Sequence, residues 1–300
     1  MGTERHGIEA HMEQFQLYLN MAGKRWRITL PYAVEIGENY APFLCDPCEP
    51  DCTYDFEIGK PEHGRPMLSD PQFTVWRTEN GYEIERLTVM ATKPCACIHT
   101  VDADPLHVSG WIYPGQEGAL QTLNHVLDAG CVEYMLSALG AINLHSSFVR
   151  LRGEGILFTA PSGTGKSTQA GLWEQYAGAE QLNGDRTIIR CQKGVWTAYG
   201  FPFAGSSGIY RNESAPIRAV AVIRQAPENQ IERLKPVEAF RLLYSESAIQ
   251  RWHETGHTAI VDRLLAFCRD IPVYLLRCTP DERAVRLLQK TLSMEENHDC

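Results

Sequence analysis

The pattern of apolar and polar positions changes its period partway along this chain. From Tyr82 to Val89 the order Tyr-Glu-Ile-Glu-Arg-Leu-Thr-Val alternates, the signature of a half-buried strand. Similar short runs predict strands at Trp26–Pro31, Phe73–Arg77, Tyr82–Ala91, Ala96–Val101 and His107–Tyr113, with a hairpin turn at Glu79-Asn80-Gly81-Tyr82. Together they predict an antiparallel sheet region. The stretch 41–70 holds five prolines and no period, so it reads as loop.

From Ala119 to Leu139 the period lengthens. Leu120, Leu123, Val126, Leu127, Cys131, Tyr134, Met135 and Ala138 recur at three and four, which predicts one helix stopped by Gly140. Beyond it the pattern is that of an α/β protein. Strands are expected at Phe148–Leu151 and Gly155–Ala160, then a helix at Lys166–Tyr176 and a hairpin of Thr187–Cys191 with Val195–Tyr199. Ile217–Arg224 is continuously apolar, which suits a central strand. Helices follow at Pro236–Ile249 and Thr258–Arg269, then strand Val273–Arg277 and helix Asp281–Leu292, with Thr279 as N-cap and Pro280 at the first helical position. Two domains are expected: a β-rich region over 1–118 and a second domain over 119–300.

Composition narrows the function classes. Of 300 residues, 44% are apolar and 22% charged, ordinary for a globular protein with a sizeable core. A net charge of −9 without any Lys/Arg run argues against a nucleic-acid partner. No apolar run approaches the ~20 residues of a membrane span, and the polar N-terminus lacks the apolar core of a secretory signal. The expectation is a cytoplasmic protein with no membrane partner. Most of its ten cysteines then read as reduced thiols. Cys45, Cys48 and Cys52 have a C-x2-C-x3-C spacing that could serve a zinc site; the alternative is plain loop thiols.

The stretch Phe158–Ala170, FTAPSGTGKSTQA, carries the clearest chemistry. An apolar run leads into a glycine turn and a helix-forming run leaves it, the context of a phosphate-binding loop. Gly163 and Gly165 let the backbone wrap an anion, with Pro161, Ser162, Thr164 and Thr168 completing the turn. Lys166 can reach phosphate oxygens, and the Ser167 hydroxyl can sit on Mg²⁺. The first position of the pattern G-x-x-x-x-G-K-[ST] is Ala160, tolerable at a strand exit. Asp185, in Asn183-Gly184-Asp185-Arg186, can reach a metal or accept a hydroxyl proton, although Asn-Gly-Asp is also good turn chemistry. His145 at a strand start, Arg224 at the end of the central strand and Arg211 in the loop 201–212 are further candidates; each is also an ordinary structural or solvated residue.

His145-Ser146-Ser147-Phe148-Val149, Ala160–Thr168, Asn183-Gly184-Asp185-Arg186 and Gly200-Phe201-Pro202-Phe203-Ala204-Gly205, in that order, resemble the HPr-kinase-like proteins. These include the HPr kinase/phosphorylase catalytic domain and kinase homologues found beside peptide-modification genes. The fold also resembles ATP-dependent phosphoenolpyruvate carboxykinase. The resemblance covers about residues 140–292. It implies an α/β P-loop catalytic domain, the chain being α+β overall with the smaller, mainly antiparallel β region that the periodicity predicts before that domain. It further implies an ATP-dependent, Mg²⁺-assisted kinase with Lys166 on the phosphates, Ser167 and Asp185 on the metal and His145 near the transferred group; Arg224, from its place at the end of the central strand, could clamp transition-state charge. The acceptor would be a hydroxyl on a peptide, small protein or metabolite, and homo-oligomers are usual in such kinases. Where HPr kinases carry Asp-Asp, this chain has Gly184-Asp185. That departure also suits a nucleotide-binding sensor or scaffold with little transfer activity. Decarboxylation like the carboxykinase's is disfavoured, because that enzyme's further metal ligands are not found.

Overall fold

The structure, a computed structural model, describes residues 14–88 and 92–296, without the side chains of Glu295 and Glu296. It is a mixed α+β protein with two large sheets and few helices. Two compact units are distinguished. One holds the described residues up to Tyr18, Trp26–Ile36 and Asp46–Gly130; the other holds Leu19–Arg25, Gly37–Cys45 and the chain from Cys131 onward.

The strands of the first sheet are β1 (Phe15–Met21), β2 (Lys24–Leu30), β3 (Cys52–Ile58), β4 (Leu68–Ser69), β5 (Phe73–Arg77), β6 (Gly81–Arg86), β7 (Ala96–Val101) and β8 (Asp104–Ile112), in the spatial order β1-β2-β3-β8-β7-β6-β5-β4. From β4 to β8 it is an antiparallel meander. β3 corrects the expectation of a loop over 41–70. Its alternating Cys52, Tyr54 and Phe56 are buried, and it runs parallel to both β2 and β8. Tyr54 stacks between Trp26 and Phe56, with ring centroids 6.3 and 6.0 Å away. β6 ends at Arg86, short of the expected Ala91; Val89–Ala91 lie outside the described residues.

The expected single helix over 119–139 is two. α1 (Leu123–Ala129) is capped by the Thr122 hydroxyl, which accepts from the His125 N–H at 3.3 Å. Cys131 then takes φ +49°, a left-handed value that no helix interior adopts, and α2 (Val132–Ala138) starts afresh.

The second unit contains β9 (Ile142–Leu151), β10 (Glu154–Thr159), β11 (Glu180–Asn183), β12 (Arg186–Gln192), β13 (Val195–Tyr199), β14 (Ser214–Gln225), β15 (Gln230–Arg233) and β16 (Val273–Cys278). Its helices, besides α2, are α3 (Lys166–Ala177), α4 (Pro236–Ser245), α5 (Glu254–Asp270) and α6 (Glu282–Glu296). Spatial order is β10-β9-β12-β13-β14-β16-β15, with β11 on β9 and β10 also paired to β14. Long strands serve two neighbours. β9 pairs with β12 over Ile142–His145 and with β10 over Ser146–Leu151. Leu157 of β10 joins a core with Leu243, Leu264 and Phe267 of α4 and α5. Its neighbours Ile156 and Phe158 join another with Trp173 of α3 and Leu288 of α6. That division follows from the two-residue period of a strand.

The strands β10, β14 and β16 are mutually parallel, so their carboxyl ends share one edge. Ligands of such sheets bind at that edge. The glycine turn, Arg224–Ala226 and Thr279–Asp281 all lie along it. The cap of α6 differs from the expected one. The helix begins at Glu282, and Asp281 Oδ1 accepts from the Arg283 and Ala284 N–H groups at 3.0 and 3.3 Å. Thr279 instead donates its hydroxyl to Asp281. Among the described residues no helix is long and apolar enough to cross a membrane.

Candidate functional site

The turn after β10 is built from local constraints. Ala160 is buried in the core shared with Ala170 and Trp173, so the strand exit is fixed by packing, where a methyl group is useful. Gly163 and Gly165 take φ +76° and +117°. An added Cβ would meet nothing within 4 Å at either, so the glycines answer to backbone conformation and the space above them is open. The first bond of α3 closes from the Gln169 N–H to the Gly165 carbonyl at 2.9 Å. Ser167 and Thr168 stand exposed on that first turn.

Lys166 is buried, and its ammonium donates to the Ala160 and Pro161 carbonyls at 2.9 and 3.4 Å. Burial pushes its pKa down. The charges of Glu246 and Asp185 oppose that shift.

Asn183, fully buried, positions the acid. Its Oδ1 accepts the N–H groups of Asp185 and Arg186, both at 2.8 Å, while its Nδ2 donates to the Phe201 carbonyl at 2.7 Å. The Asn-Gly-Asp turn is therefore both turn chemistry and the mount of Asp185. His145 faces that acid, with Nε2 3.3 Å from Asp185 Oδ1. This contact is the main cause holding the Asp185 carboxyl below its ordinary value, against the opposing effect of burial; Arg186, 3.7 Å away, adds to the lowering.

A second acid sits on the other side of the ring. Glu246 Oε2 lies 3.2 Å from His145 Nδ1, and the Glu246 carbonyl accepts the His145 N–H at 2.8 Å. The Ala248 N–H bonds the Asn143 carbonyl at 2.9 Å, which extends the join between β9 and the segment after α4. Glu246 is missing from the sequence reading. The local signal was a carboxylate at a helix C-terminus, where the helix dipole disfavours it. Its partner comes from 101 residues earlier in the chain.

Gly184 has its own physical explanation. A Cβ there would fall inside Ser207, whose hydroxyl donates to the Ala204 carbonyl at 2.7 Å and accepts from the Ile209 N–H at 3.2 Å. The loop 204–208 occupies the room that a side chain at 184 would need.

The structure thus brings His145, Lys166 and Asp185 together beside the turn. Arg224 stands exposed at the same sheet edge, two residues beyond Val222, the partner of Thr159. Arg211 is exposed and ion-paired to Glu213 at 3.8 Å. Cys45 and Cys48 are partly buried and Cys52 is buried. Among the described residues no three His, Cys, Asp or Glu side chains are placed to hold a metal ion. For a triphosphate with Mg²⁺ the residue types fit: a glycine turn with open space above Gly163 and Gly165, one ammonium, an exposed hydroxyl and a carboxylate.

Residues 116–284 match the model of a family described as SynChlorMet cassette protein ScmC. No curated protein matches the chain. Among solved structures, it is similar to the HPr(Ser) kinase/phosphatase from Coxiella burnetii. The identity is 12% and the TM-score 0.30, over 52% of this chain and 91% of that one.

Proposed function

The chain belongs to the family described as SynChlorMet cassette protein ScmC, and from the site its residues build we propose that it is an ATP-dependent kinase acting on a hydroxyl group. The observation that carries the proposal is the cluster of a buried lysine, a histidine and an ionised aspartate beside an open, glycine-formed turn at the α3 N-terminus. Bound Mg·ATP supplies the phosphoryl group and shields its charge. Backbone N–H groups within 162–168 would bind the phosphate tail, aided by the positive end of α3. Lys166 turns from the Ala160 and Pro161 carbonyls to phosphate oxygens. Ser167 and Asp185 are the side chains that would hold the metal. Asp185 would also take the acceptor's proton as the acceptor oxygen bonds to phosphorus and the bond from phosphorus to the bridging oxygen breaks. His145, set between Asp185 and Glu246, keeps the acid oriented. The acceptor class proposed is a peptide, a small protein or a small metabolite, and the protein is proposed to work in the cytoplasm.

The test is incubation with γ-labelled ATP, Mg²⁺ and hydroxyl-bearing acceptors, with nucleotide binding measured by calorimetry. Transfer from the wild type, and loss of nucleotide binding in Lys166→Ala, are expected. Absence of both transfer and binding would refute the proposal. One observation favours a second reading, a nucleotide sensor with little transfer: Ser207 excludes a second acid at position 184. Tight ATP binding without turnover on any acceptor would select it.

A further inference from the structure

β14 does not run regularly against β10. Gly155 lies opposite Ile217 and Ile156 opposite Ala219, so Arg218 is the extra residue of a bulge. Bulges are rare between parallel strands, and they re-aim side chains. Here the two-residue alternation of β14 slips by one. Ile217, before the bulge, packs in the core of α4 and α5, and Ala219, after it, packs in the core of α3 and α6. The slip leaves Arg218 half-buried, with Nη2 donating to the Leu292 carbonyl of α6 at 2.9 Å.

Arg218 lines a hollow of about 340 Å³. That volume falls in the ~300–1,000 Å³ range of small-ligand sites. Ile156 and Trp173 back it. Arg152 joins it from the turn between β9 and β10. From α6 come Arg286, Gln289, Lys290 and Ser293, spaced three and four apart and so on one helix face. Four cationic side chains therefore line this hollow, and Glu154 is the one carboxylate among its described lining residues. Glu282, outside the lining, pairs with Arg286 at 2.8 Å. The local excess of positive charge runs against a chain whose net charge is −9. Arg286 and Lys290, like charges four apart on a helix, also repel each other.

We propose that this hollow binds a small phosphate-bearing molecule, at a site separate from the glycine turn. An anion seated among the four cations offsets their repulsion, and guanidinium forks match phosphate oxygens in charge and geometry. Gln289 and Ser293 offer hydrogen bonds to the rest of the ligand. The hollow lies at the amino end of β10, whereas the turn leaves its carboxyl end, ~16 Å further along the strand. The two sites share no lining residue, so this one stands or falls apart from the kinase reading.

Titration of the ¹⁵N-labelled whole chain with inorganic phosphate, followed by NMR, tests this. The indole signal of Trp173 is the reporter, assigned by its loss in Trp173→Phe. It should shift saturably with phosphate and stay in place with sodium chloride at equal ionic strength. Arg286→Gln combined with Lys290→Gln, both at exposed positions, should raise the phosphate midpoint at least about tenfold, since each removes a charge-assisted bond. Lys290→Arg, which keeps the charge, should bind as wild type does. A shift reproduced by chloride, a midpoint unchanged in the double variant, or no saturable shift in wild type overturns the site. The wild-type comparison of phosphate with chloride needs no substitution beyond the assignment, so it decides the matter even where the double variant does not fold.

Discussion

Replacing Gly184 by alanine places a methyl carbon inside the Ser207 side chain, with the Ala204 carbonyl a further 3.5 Å neighbour. Ser207 cannot move freely. Its hydroxyl donates at 2.7 Å and accepts at 3.2 Å within the loop, so displacing it breaks two hydrogen bonds. At roughly 0.5–1.5 kcal/mol net for each bond, the loss is about 1–3 kcal/mol, the same range as overpacking a core by one methyl group. For a unit of this size that lowers Tm by ~2–10 °C. Urea unfolding of wild type, Gly184→Ala, Ser207→Gly and the double variant gives the coupling directly. The single Gly184→Ala change should destabilise, and adding Ser207→Gly should recover about 1 kcal/mol or more relative to additivity. A Gly184→Ala protein as stable as wild type, or a cycle without coupling, would refute the steric account of the missing acid.

Two further outcomes are expected. Asp185 has a carboxyl value depressed below 3.8, chiefly by His145. A depressed folded value stabilises the fold above pH 3.8, and the contribution is lost as pH falls through the folded value. Unfolding midpoints measured from pH 5 down to pH 2.5 should therefore fall more steeply for wild type than for Asp185→Asn, and parallel curves would exclude the His145–Asp185 contact. Glu246→Gln keeps the side chain's shape and removes its charge; kcat of phosphoryl transfer should fall about tenfold with KM for ATP unchanged, and the ¹⁵N signals of the His145 ring should shift.

Much of the second unit was legible because its signals are local. β13 coincides with its predicted bounds, and Ile217–Arg224 lies inside β14, because period and apolar runs report the burial of a strand without reference to its partners. The glycine turn was legible for the same reason. β5 and β7, in the first unit, likewise fall at their predicted limits. What escaped was set from a distance. β3 was hidden among prolines, and its burial depends on Trp26 and on β8. The break at Cys131 left no mark in the spacing, since apolar residues keep their intervals across it. Thr279 looked like the better cap, yet Asn229, fifty residues upstream, fixes Thr279 and leaves Asp281 to face the helix. The Leu19–Arg25 and Gly37–Cys45 segments count with the second unit, where Arg190 donates to the Ala22 carbonyl at 2.9 Å and Asn39 to the Pro202 carbonyl at 3.0 Å. No pattern within those segments announces that.

The double pairing of β9 makes it the ruler of the site. Where its two pairings meet, mid-strand, His145 lies opposite Arg186, beside Asp185, and the next residue, Ser146, lies opposite Thr159, the last residue of β10. A single inserted or deleted residue in that strand would throw the imidazole to the opposite face and misalign the lysine and the carboxylate together. Substitutions in the loop 201–212 leave that register alone, because it is set by the pairing of β9 with β12 and β10.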